Sequence, residues 1–184
     1  MQHQTQPEIA SAAAHGISRS PHWPAVEHAH LAKQPRCLCC GKDAAARVKL
    51  NVHHKYPFHY IVAVGRPDLE LDERNLFTLC VDHEEEHHLL VGHLGNFESY
   101  NPDFEHFLAL CRGLLASQIR SLPAWLHAVA KRPEPLALMN SQDRLTLRKR
   151  LDTLMPPLAL MNSQDRLTVR KRLDTLMPPL APKN

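Results

Sequence analysis

The eleven residues RVKLNVHHKYP, positions 47–57, decide the fold. Val48, Leu50 and Val52 alternate with polar neighbours, the period-two pattern of a half-buried strand, and that strand runs into the paired imidazoles of His53 and His54. Successive side chains on a strand point to opposite faces, so the pair is directed two ways at once. Lys55, Tyr56 and Pro57 end or turn the strand, because proline has no N–H to give to a ladder. His59 to Val64 reads as a second short extended segment.

Upstream, RCLCCG (36–41) sets Cys37 and Cys40 in C-x-x-C spacing, with Gly41 free to adopt the tight backbone such a turn needs. Downstream, GRPDLELDERNLFTLC (65–80) passes through polar turns around Leu69, Leu71 and Leu76 and ends on a further thiol, Cys80. DHEEEHHLLVGH (82–93) has the start of a helix, with Asp82 as N-cap and Glu85 three residues on, while Gly92 and Gly95 predict a break. From Asp103, Phe104, Phe107, Leu108, Cys111, Leu114 and Leu115 recur near the helical period over 103–122, and Pro123 starts another short helix around Trp125 to Val129.

The chain has 184 residues, room for one ordinary domain with appendages. Fifteen prolines and a 5% aromatic content predict that part of it does not pack. Residues 1–35 show no sustained periodicity and read as a flexible N-terminal arm carrying Trp23, followed by an ordered unit over 36–134 and a tail over 135–184. Five cysteines, odd in number and crowded, argue against a secreted disulfide framework and for metal ligation in a reducing compartment. With no apolar run of membrane-spanning length and no secretory signal pattern at the N-terminus, the expected location is cytoplasmic, without membrane association.

The net charge of +3 is unevenly spread. Residues 1–134 hold 13 Lys/Arg against 15 Asp/Glu, and residues 135–184 hold 9 against 4. That basic tail is a duplication: PLALMNSQDRLTLRKRLDTLMP (135–156) recurs at 157–178 with one change, Leu147 against Val169. Each copy carries a capping box, Asn140 with Asp143 and Asn162 with Asp165, and is stopped by a proline pair. Leu147, Leu151, Leu154 and Met155 share one helical side. The copies are expected to dock on the chain's own core or on a protein partner, while Arg148, Lys149, Arg150 and their counterparts Arg170, Lys171, Arg172 suit phosphate contact.

Taken in order, CLCCG, VHHKYP, RNLFTLC and EHHLLVGHLGNFESYNP resemble the HNH endonuclease family, in particular its small bacterial members with a C-x-x-C ahead of the histidine pair. The resemblance covers roughly residues 37–104. It implies an α+β fold, a small ββα-metal (His-Me finger) module with a structural zinc site, followed by C-terminal helices. It implies cleavage of DNA with a divalent metal ion, His54 as general base, Asn75 organising the loop around that histidine, and His53 and His88 as metal ligands with His93 third. Magnesium suits so histidine-rich a set less well than zinc, nickel or manganese.

The residues reach similar chemistry on their own. Phosphodiester hydrolysis calls for a base to activate water and a positive centre for the leaving oxygen, and an imidazole titrates near neutrality. Spacing leaves the later ligands open, since His83 with His87, or Glu84 with His88, would also share a helical face. Cys37, Cys40 and Cys80 need a fourth partner for a closed tetrahedral zinc site, and His83 and His87 both qualify. Cys39 reads as a thiol outside the site and Cys111 as helix core. A noncatalytic zinc-stabilised module binding nucleic acid or protein is the alternative. The enzymatic reading requires a cation-sized polar space between the first strand and the later histidines.

Overall fold

A computed structural model describes residues 18–82, 86–165 and 167–168. At its centre lie two antiparallel strands, β1 (Leu50–His54) and β2 (Leu76–Cys80), registered so that His53 faces Phe77 and His54 faces Leu76. A two-stranded ribbon is marginal in water and needs cover. Here both faces are covered, so apart from Leu50 the ribbon is buried throughout, where β1 was expected to be half-buried.

The first face carries Asn51, His53, Phe77 and Leu79. It packs under a π-helical turn (His88–Gly92) and helix α3 (Phe104–Cys111), in a core with Leu90, Val91, Leu94 and Leu108. The opposite face carries Val52, His54, Leu76 and Thr78, and is roofed by helix α1 (Trp23–Lys33). That helix lies within the stretch expected to be a flexible arm. Pro24 in its first turn supplies a favourable start, and Trp23 packs with Val52 and Leu76, contacts between residues far apart in the chain that no local period announces.

Between the strands, helix α2 (Phe58–Ala63) replaces the extended segment expected over 59–64. Pro57 at φ −56° directs the chain into the helix, and Phe58, Tyr60 and Ile61 are all buried, so tertiary burial overrides the strand preference of the β-branched run. Two short 3₁₀ turns, Pro67–Glu70 and Glu73–Asn75, then lead into β2. The helix expected from Asp103 onward is two, α3 and α4 (Ala116–Ser121), separated where Gly113 takes φ +76°. Helix α5 (Pro123–Ala130) begins at its proline, as its sequence predicts.

Helix α6 (Ser141–Leu154) is the first copy of the repeat. Its capping box forms as expected: Asn140 Oδ1 accepts from Gln142 and Asp143 N–H, and Asp143 accepts from Asn140 N–H. Leu136, Leu147, Leu151 and Met155 bury against Tyr56, Tyr60, Ile61, Val64 and Leu69. The first copy therefore docks on the core of its own chain. Arg148 is committed to the carbonyls of Val64 and Gly65, and Arg150 to the carbonyl of Pro102, so two of the three cations expected on phosphate hold the helix in place. Much of the second copy, and the Glu85 half of the cap expected at Asp82, lie outside the described residues. Among the described residues, no helix is long and apolar enough to cross a membrane.

Candidate metal centre

Among the described residues, two clusters of metal-ligating side chains flank the ribbon. The first joins Cys37, Cys40, Cys80 and His87, whose donor atoms all lie within 4.8 Å of one another. The C-x-x-C turn is closed by Gly41 N–H donating to Cys37 O at 2.8 Å, with Gly41 at φ +72°, and is stitched to β2 by Leu38 N–H to Thr78 O. His87 Nε2 lies 2.9 Å from Leu114 O. A carbonyl only accepts, so Nε2 carries the proton and Nδ1 presents its lone pair to Cys80 Sγ at 3.0 Å and Cys37 Sγ at 3.7 Å.

Hydrogen bonds from Cys40, then Cys80, hold the Cys37 thiol down at about 3, while contact with Cys37 and Cys40, then burial, pushes Cys80 upward. The cluster thus already favours one buried thiolate, a charge that a cation would stabilise. Three thiols and one imidazole form the donor set of a closed tetrahedral zinc site, whose S-to-N edges would be about 3.6 Å from the usual bond lengths. The residues fit such an ion. Of the two histidines proposed as fourth partner, His87 is in the cluster and His83 lies outside the described residues. Cys39 is elsewhere, its Sγ donating to Cys111 O.

The second cluster is formed by His53 on β1 with His88 and His93, again with donor atoms within 4.8 Å. The three rings stand nearly edge-on to one another, with centroids 4.9 to 5.1 Å apart and planes 73° to 85° from parallel. The π-helical turn explains how both later histidines reach the same point. Residues five apart in an α-helix diverge widely around the axis, at about 100° per residue, whereas wider i→i+5 winding stacks them. Gly92 is required in the same turn, because a Cβ there would lie 2.7 Å from His53 Cε1. His93 Nδ1 lies 2.8 Å from Ser99 O, so its Nε2 is the lone-pair nitrogen. Phe104 lines the His53 ring, and Phe97 lines His88 and His93. Three buried imidazoles with an apolar wall fit a borderline divalent cation better than magnesium.

His54 leaves the ribbon on the other face. Its Nε2 lies 3.0 Å from Glu70 O, which makes Nδ1 the basic nitrogen of the neutral ring. That nitrogen is 3.4 Å from Arg19 Nη2, and the ring is fully buried with Trp23 tilted against it, centroids 4.5 Å apart. Glu70 anchors this cover, its carboxylate accepting from Ser20 N–H and pairing with Arg19. Asn75 bonds to backbone groups. Its Oδ1 accepts from Tyr56 N–H at 2.8 Å, and its Nδ2 donates to Tyr56 O and Leu69 O, clamping the exit of β1 to the turn that presents Glu70.

All seven proposed ligands therefore gather into two groups, His53, His88 and His93 in one, Cys37, Cys40, Cys80 and His87 in the other, while His54 lies on the opposite face of the ribbon against Glu70 O and Asn75 bonds to the backbone of Tyr56 and Leu69. Sequence reasoning did not single out Asn51, Arg19 or Glu70, and read Gly92 only as a helix break. Asn51 was the legible one: it lies two residues before His53, hence on the same face, and its Nδ2 is 3.2 Å from His88 Nε2. Ribbon, helical cover and paired His/Cys clusters define a ββα-metal-like module with a candidate structural zinc site. Comparison with protein-family models, curated proteins and solved structures finds no match.

Proposed function

We propose that the chain is a metal-dependent endonuclease of HNH type that hydrolyses phosphodiester bonds in DNA, with a structural zinc ion held by Cys37, Cys40, Cys80 and His87. The observation that carries this reading is the convergence of His53, His88 and His93 on one point, on a strand whose next residue is an imidazole with its tautomer set by Glu70 O. His53, His88 and His93 would hold the catalytic ion, which supplies a positive centre for charge developing on the leaving oxygen. His54 Nδ1 takes the proton from the attacking water. Asn75 holds the loop that keeps Glu70 O against Nε2, so the proton stays on the nitrogen facing away from substrate. Arg19 and Trp23 stand over the ring, and substrate reaches Nδ1 when they move aside.

That cover favours a second reading, a noncatalytic zinc-stabilised module that binds nucleic acid or protein. Plasmid cleavage across several divalent ions, with a chelator control and His54→Ala beside wild type, separates the two. Loss of roughly 10²–10⁴-fold in rate on removing a general base supports the enzyme. Cleavage at the wild-type rate by His54→Ala removes that residue's role, and a wild type that shifts DNA in a gel without cutting it supports the second reading.

A further inference from the structure

The groove that holds the first repeat is a lock for which the chain carries two keys. We infer that residues 157–177 dock in this same groove in place of residues 135–155, within one molecule. The contacts that seat the first copy are specific. Leu136, Leu147, Leu151 and Met155 fill the apolar floor. Arg66 reaches up to Asp152 Oδ1 and to Met155 O, both at 2.9 Å, and Arg148 Nη1 reaches down to Val64 O at 3.0 Å and Gly65 O at 2.6 Å. Every one of these six residues has a counterpart 22 positions later: Leu158, Val169, Arg170, Leu173, Asp174 and Met177.

The second copy also forms the same local start without the groove. Asp165 N–H donates to Asn162 Oδ1 at 2.8 Å, and Thr168 Oγ1 donates to Gln164 O at 3.0 Å, matching Asp143 with Asn140 at 3.0 Å and Thr146 with Gln142 at 2.9 Å. Its first anchor is presented outward, with Leu158 50% exposed against 4% for Leu136.

Two factors keep the first copy in place at rest. Val169 is one methylene shorter than Leu147, and seating the second copy closes residues 135–156 into a loop. The entropy of that loop grows only with the logarithm of its length, so the exchange stays within reach. A tethered second copy competes at millimolar effective concentration, far above a copy from another molecule. The inference is independent of the nuclease reading.

The test uses the full chain as wild type, Leu151→Asp, Leu173→Asp and the double variant, followed by thermal unfolding and light-scattering mass. Each single variant is expected to unfold within a few degrees of wild type as a monomer, because one intact key remains. The double variant is expected to lose roughly 10 °C or more, well beyond the two single shifts together. The inference is overturned if Leu151→Asp alone falls as far as the double variant, if Leu173→Asp alone is destabilised, if no variant shifts, or if Leu151→Asp becomes a dimer through exchange between chains.

Discussion

Gly92 and His53 approach so closely that a methyl group on the glycine would sit 2.7 Å from Cε1 and 2.9 Å from Nε2 of the ring. The π-helical turn and β1 are thus brought together by the lack of a side chain, at the point where His88 and His93 meet His53. Gly92→Ala must displace either the ring or the turn, and the strain of overpacking such a contact is about 1–3 kcal/mol. The expected result is a lower denaturant midpoint and a loss of divalent-ion binding at the histidine cluster, with ion content at the cysteine cluster retained. A variant with wild-type midpoint and wild-type ion binding at both clusters would show that the close approach has no consequence.

Metal analysis distinguishes the clusters. Protein purified without added metal is expected to carry one tightly held zinc per chain, which Cys37→Ser and His87→Ala lose and His53→Ala keeps. Because a structural site couples ion binding to folding, stripping that ion with a strong chelator should also lower the melting temperature, and zinc alone should restore it. Mass-spectrometric metal content that is zero in wild type, or unchanged in Cys37→Ser, counts directly against the assignment of this cluster.

Much of this architecture is legible in the sequence because its signals are local. The alternation Val48, Leu50, Val52 places His53 and His54 on a strand, the C-x-x-C turn needs only Gly41, and the capping box of α6 is complete within four residues. What sequence reasoning loses is set by distant contacts. Residues 59–64 read as a short extended segment, yet burial of Phe58, Tyr60 and Ile61 selects a helix. Trp23 belongs to a segment without period, and its place is decided by a ring 31 residues away in sequence. Gly92 reads as a helix breaker; its use as the clearance for an imidazole is visible only once β1 and the turn are packed. His87 and His83 are equivalent by spacing, and only Leu114 O, 27 residues further along, shows how His87 is oriented.

His30, on the buried side of α1, carries a pH prediction. Burial lowers its pKa from 6.5 to about 4, against a smaller opposing effect of Glu73. Between those values the unfolded chain binds a proton that the folded chain refuses, so stability falls as pH drops from about 6.5 towards 4 and levels off below. The full shift is worth on the order of 3 kcal/mol. Replacing the ring by one that does not titrate, His30→Phe, should remove this contribution, so that the gap in stability between wild type and variant shifts in the variant's favour as pH falls through that window, measured by urea midpoints at pH 7, 6, 5 and 4. If the gap between wild type and variant stays constant with pH, His30 is not the buried neutral base described here.

Asn75 satisfies three backbone groups with one amide, Tyr56 N–H, Tyr56 O and Leu69 O, all buried. Asn75→Ala leaves these groups without their partner, and each buried orphan costs about 1–3 kcal/mol, so destabilisation should be severe for a single deletion. Asn75→Asp keeps the acceptor for Tyr56 N–H but sets a carboxylate against two carbonyl oxygens, which repel it. It should therefore recover only part of the loss. The consequence for activity passes through geometry: loosening Leu69 frees the turn that holds Glu70 O against His54 Nε2, and the imidazole loses its fixed tautomer. On the proposed nuclease reading, kcat in Asn75→Asp is expected to fall while KM stays near wild type, since the amide bonds to the backbone of Tyr56 and Leu69 and acts only through the position of His54. A fall confined to KM would instead make Asn75 a binding residue, and a wild-type melting temperature in Asn75→Ala would show that the clamp is not needed to hold the loop.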